Sequence, residues 1–141
     1  MTECSANHIC SFANTEILTD HILEMFRAGR NICVVLSWSE TGNFLLNAMT
    51  KGNLLPYDIN YINPEINGYY KEYTIFFNHL HNNDYISVEP SYCEKSDIYL
   101  DVNGVHEFAD IILLSQNISM KLFKKYTDKK VNNCILFKIN S

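Results

Sequence analysis

The apolar positions of this chain fall into blocks whose spacing changes from helical to extended and back. In "NTEILTDHILEMFRAGR" (14–30), Ile17, Leu18, Ile22, Met25 and Phe26 recur at three- and four-residue intervals. That spacing predicts a helix, capped by Asn14 or Thr15 and ended by Gly29. "NICVVLSW" (31–38) is almost wholly apolar and short, as suits a strand covered on both faces. Helical spacing resumes over 39–52, with Ser39 as cap and Gly52 as stop. "YDINYIN" (57–63) reads as a strand. Asn63, Pro64 and Glu65 then form a helix-start signal, predicting a helix through 63–84. "YISVE" (85–89), "ADIILLS" (109–115) and "NNCILFKI" (132–139) read as strands. Between the last two lies a helix over 118–130, capped by Ser115 or Asn117. Asn103-Gly104 within "DIYLDVNGVHEF" (97–108) predicts a hairpin.

Alternation of helices with buried apolar strands implies an α/β fold. The expectation is a single three-layer αβα domain over 14–141, with a mostly parallel sheet and one hairpin excursion. Residues 1–13 are expected to be a mobile lead. No repeat or linker interrupts the pattern, and no apolar run reaches the length of a membrane span. With 141 residues and 47% hydrophobic positions, the chain can bury a core without staples.

Charge and cysteine content narrow the partners. The net charge is -5, yet Lys121, Lys124, Lys125, Lys129 and Lys130 cluster with only Asp128 opposing them. An acidic body argues against direct nucleic-acid binding, while the lysines could make a local contact. Five irregularly spaced cysteines suggest no disulfide framework. Together with a polar N-terminus lacking a signal-peptide pattern, they suggest a cytoplasmic protein with Cys33 and Cys134 as buried thiols.

In open α/β sheets, ligands bind beyond the carboxyl ends of the strands, where strand order reverses. The first strand-to-helix turn here is "SWSETGN". Ser37, Ser39, Thr41 and Asn43 could offer hydroxyl and amide donors to a small anionic ligand at the helix N-terminus, and Gly42 would permit close approach. The turn is neither a Walker loop nor a Rossmann fingerprint. Glu40 places a carboxylate where such an anion would sit, and an acid in the first turn also suits the helix dipole by itself.

Two families share these features. "NICVVLSWSETGNFLL" (31–46) and "ADIILLSQNISMKLFKKYTDKKVNNCILFKI" (109–139) resemble phosphotransferase-system IIB domains, in which a strand ends in a phosphorylatable cysteine before a Ser/Thr/Gly-rich loop. Leu36 occupies that cysteine's position, so the resemblance implies a degenerate domain without phosphotransfer. Residues 18–49, with "YDINYINPE" and "NNDYISV", are similar to phosphosugar-binding (SIS) domains of sugar-responsive transcription regulators. The loop glycines and later serine-rich loop of that family are absent.

Other constellations have a plainer reading beside the chemical one. His79 and His81 do not share a helix face. Cys4, His8 and Cys10 lack a fourth metal ligand, and no metal or cofactor is expected. His21 and Glu24 form an i, i+3 pair. His106, Glu107 and Asp110 could cluster with Asp101, yet such residues are ordinarily the wet side of a hairpin. No hydrolase, metalloprotease or dithiol motif is present, and no catalytic residue is assigned. Tyr57, Tyr61, Tyr69, Tyr70 and Tyr73 suit either a core with wet tips or a partner surface.

The resulting expectation is a non-catalytic regulatory or ligand-sensing domain, binding a phosphorylated small molecule, a protein partner or a second copy of itself. The alternative is a small acidic interaction protein, such as a mobile-element inhibitor or an immunity protein.

Overall fold

A computed structural model describes residues 9–52, 59–62, 66–67, 70–79, 85–87, 107–128 and 133–140. In chain order the elements are β1 (Cys10–Phe12), α1 (Thr15–Arg27), β2 (Ile32–Ser37), α2 (Trp38–Gly52), β3 (Ile59–Ile62) and β4 (Ile66–Asn67). They continue with β5 (Tyr70–Asn78), β6 (Tyr85–Ser87), β7 (Ile111–Ser115), α3 (Met120–Thr127) and β8 (Cys134–Ile139).

The strands form one mixed sheet in the order β1-β8-β7-β2-β5-β3-β6, with β4 paired to β5. From β1 to β5, three of the four neighbouring pairs are parallel. The fold is therefore α/β with a mostly parallel central sheet. Beyond β2 the character changes, because β5 is antiparallel to β2, β3, β4 and β6.

Alternation along the strands sends side chains to two cores. Ile32, Val34 and Leu36 of β2 join Ile75 and Phe77 of β5 under α1 and α2. Cys33 and Val35 join Phe76, Ile112 and Leu114 under Leu122 and Tyr126 of α3. The five residues from Ile32 to Leu36 are all fully buried, which is why this strand reads as a continuous apolar run. Helices thus cover both faces, giving the three layers.

Local chemistry explains the helix ends. Asn14 Oδ1 accepts from Ile17 N at 2.9 Å and starts α1. Gly29, at φ 91°, takes the left-handed conformation that closes it. Ser119, rather than Ser115 or Asn117, caps α3 by accepting from Leu122 N at 3.2 Å. Ser37, rather than Ser39, stands immediately before α2.

Two larger expectations are corrected. Where a helix was expected over 63–84, the described residues form strands β4 and β5. Tyr73, Ile75 and Phe77 alternate with Glu72, Thr74 and Phe76, and the residues from Thr74 to Asn78 are buried on both faces of the sheet. Pairing of Asn67 with Tyr70 leaves two residues between β4 and β5. Gly68 is the first of those two, the position at which glycine is a hairpin signal. Residues 10–12, expected within a mobile lead, form edge strand β1 parallel to β8, with Phe12 packed edge-on against Phe137. The hairpin expected over 97–108 lies outside the described residues except for Glu107 and Phe108, which are helical.

Cys10 is disulfide-bonded, whereas Cys33 and Cys134 are free. Irregular spacing was a poor guide here, because pairing depends on proximity in the fold. Among the described residues no helix is long and apolar enough to cross a membrane.

Candidate functional site

Strands β2 and β7 are parallel neighbours in the middle of the sheet. From β2 the chain passes to α2 on one face, and from β7 to α3 on the other. The carboxyl ends of these two strands therefore bound the crevice where a ligand is expected in an open α/β sheet. The turn singled out in the sequence lies at that end of β2.

The crevice contains a carboxylate of the chain itself. Glu40, 8% exposed, turns back from the first turn of α2. Its Oε1 accepts from Ser37 N at 3.0 Å, from Ser37 Oγ at 2.7 Å and from Ser115 Oγ at 2.7 Å. Its Oε2 lies 3.5 Å from Asn117 Nδ2. The Ser37 N–H contact is half of a capping box, in which an acid three residues into a helix satisfies the donor at its start. The Ser37-Trp38-Ser39-Glu40 spacing carries that signal. Ser115 and Asn117 extend it across the crevice and tie α2 to the end of β7.

The five residues expected to contact a ligand divide into two groups. Ser37 and Thr41 face inward and are committed. Ser37 Oγ donates to Glu40, and so accepts from Ser39 Oγ at 3.1 Å. Thr41 Oγ1 donates to Ser37 O at 2.7 Å. Ser39, Gly42 and Asn43 instead lie on the exposed side of α2. A Cβ on Gly42 would meet nothing within 4 Å, so packing does not require a glycine there. The five do not converge on one space.

A second buried carboxylate serves α3. Glu72, 2% exposed and paired in register with Ser37, accepts from Ser119 N at 2.6 Å and Ser119 Oγ at 3.1 Å. It supplies, from β5, the anion that the first turn of α3 lacks in its own sequence. Nearby, Thr74 Oγ1 and Tyr126 OH are 3.1 Å apart. Burial pushes the Tyr126 phenol well above its ordinary pKa, so it remains protonated.

The remaining candidates that the structure describes have structural roles. Leu36 is fully buried beneath α1 and α2. Burial raises the Cys33 thiol well above its usual range and pushes Cys134 up to about 11, so neither is an activated nucleophile. His79, expected on a helix, follows β5 and stacks on Phe26 at 4.3 Å, with Nε2 2.8 Å from Phe26 O. Asp110 Oδ2 accepts from Asn31 N at 2.7 Å, at the opposite end of the parallel strands from the crevice. His81, Asp101, His106, Cys4 and His8 lie outside the described residues. Among those described, no three His, Cys, Asp or Glu side chains gather as metal ligands.

At the start of α2, directly after β2, Trp38 is 62% exposed and its ring lies 6.0 Å from that of Tyr73. Leu46, farther along α2, is also largely exposed. Tyr73 is thus half-buried beside an exposed indole, while the side chains of Tyr57, Tyr61, Tyr69 and Tyr70 lie outside the description. No family model, curated protein or solved structure matches this chain.

Proposed function

We propose that this chain is a non-catalytic α/β module that works by binding a partner protein, and that it does not take up a phosphorylated small molecule. The observation carrying this reading is the Glu40 carboxylate in the crevice. It already accepts the hydrogen bonds that a phosphate would need from Ser37 and Ser115. An incoming anion would have to expel a buried, hydrogen-bonded charge and meet its repulsion on the way. The exposed Trp38 beside Tyr73 supports the protein-binding half, since aromatic side chains are enriched at protein interfaces.

Thermal stability is measured while glucose 6-phosphate, fructose 6-phosphate and inorganic phosphate are titrated. No shift is expected. A ligand at a hundredfold excess over its dissociation constant would stabilise the protein by about 2.7 kcal/mol, and a rise of that order would overturn the reading. A photo-cross-linking amino acid replacing Trp38 then tests the protein-binding half in the native host. One discrete protein adduct is expected, and a smear indistinguishable from that of a photo-cross-linker at Glu24 counts against it.

A further inference from the structure

Helix α2 differs from the other two helices in what it turns towards water. The exposed side of α1 carries Glu16, Asp20, Glu24 and Arg27, and that of α3 carries Lys121, Lys124 and Lys125. The exposed residues of α2 are Trp38, Ser39, Gly42, Asn43, Leu46 and Thr50, and none of them is charged. A helix at the surface of a globular protein ordinarily puts charged residues opposite its buried stripe. Depletion of charge around a large exposed apolar side chain is the composition of an interface core.

Leu46 is the centre of this side. It is 63% exposed, although Phe44 and Ala48 of the same helix are buried. Gly42 and Thr50 stand four residues before and after it, so the three line one strip about 12 Å long. A Cβ on Gly42 would meet nothing within 4 Å, so that end of the strip is open to an approaching surface. Trp38 is engaged with Tyr73, and the strip from Gly42 to Thr50 is complete without it.

We propose that this strip of α2 is the two-fold contact of a homodimer, with Leu46 of each chain packed on its own copy and Gly42 opposite Thr50 of the second chain. The proposal rests on the protein-binding reading above and names the partner as a second copy of this chain. A two-fold contact uses the same patch twice, so the patch must complement itself. The lysine side of α3 does not, because its own copy would oppose like charges. The strip of α2 does. Its apolar centre packs on itself, and the amide of Asn43 and the hydroxyls of Ser39 and Thr50 each both donate and accept. The net charge of -5 favours the same surface, since two acidic chains repel least where neither presents a charge.

The test is sedimentation equilibrium of the full chain over a range of concentrations. Wild type is expected to reach twice the mass of one chain. Leu46→Asp and Leu46→Lys should each dissociate at least about tenfold more readily, because a two-fold axis at Leu46 sets each new charge against itself. An equal mixture of the two should recover the dimer, since aspartate then meets lysine. Recovery also shows that both variants fold. Gly42→Arg is a variant the chain itself accommodates: arginine favours a helix more than glycine does, and it finds open space. It should keep the fold and lose the dimer. A wild-type monomer throughout the range, or a dimer that survives Gly42→Arg, overturns the proposal. So does a mixture of the two Leu46 variants that sediments as monomers. Such a failure removes the dimer alone, because only the sugar-phosphate titration and the Trp38 cross-link decide the protein-binding reading.

Discussion

Glu40 carries the most consequence of any single residue. Its carboxylate is the common acceptor for Ser37 and Ser115, and its loss strands their donors in a buried place. Glu40→Ala should therefore cost about 2–3 kcal/mol in urea unfolding, and Glu40→Gln about 1 kcal/mol because one oxygen acceptor is retained. Equal, negligible losses would show that the crevice is wet and the hydrogen bonds replaceable. His21 gives a second residue-level prediction. Its ring lies 5.7 Å from Phe12 of β1, and burial lowers its pKa from 6.5, partly opposed by Glu24. As pH falls below 6.5, the unfolded chain takes up a proton that the folded chain resists. Stability from this group is whole above that value and declines as pH drops towards the lowered folded pKa. His21→Gln should flatten the fall seen in wild type across that window. An unchanged pH profile would mean that the ring is free of Phe12.

At the scale of elements, α3 takes the acid at its start from another strand, since Glu72 of β5 accepts from Ser119 N at 2.6 Å. Element-level features were also unevenly legible in the sequence. Helix α1 could be read almost residue by residue, because its cap, apolar spacing and glycine stop are local chemistry. Strand β5 could not, because Glu72, Thr74 and Asn78 are polar yet buried, so polarity along it does not separate a wet face from a dry one. The helix-start signal at Asn63-Pro64-Glu65 then outweighed the hairpin signal at Gly68. The crevice was legible in its location, since strand-loop-helix order implies it. Its occupant was only half legible. Glu40 is three residues from Ser37, but Ser115 and Asn117 come from 75 and 77 residues away and meet it only through the pairing of β2 with β7.

For the molecule as a whole, that long-range contact determines how the protein should open. Strands β2, β5 and β7 lie inside the sheet with nearly every described apolar side chain buried, and local fluctuations leave them little access to water. Strand β1 has three residues and, among the described residues, one neighbouring strand. Hydrogen exchange should therefore find the amides of Ile32–Leu36, Ile75–Phe77 and Ile112–Leu114 slowest and alike, opening only with global unfolding. The amides of Cys10–Phe12 should exchange at least about tenfold faster through local opening. Glu40 supplies the sharper comparison, because its side chain bridges α2 on one face to the end of the strand that leads to α3 on the other. If that bridge makes the two faces one cooperative unit, Glu40→Ala should lower protection by the same increment in β2, β5 and β7. That increment should match the loss measured in urea. Loss of protection confined to the first turn of α2 would instead mean that the two cores unfold separately and that the buried carboxylate serves only its own helix.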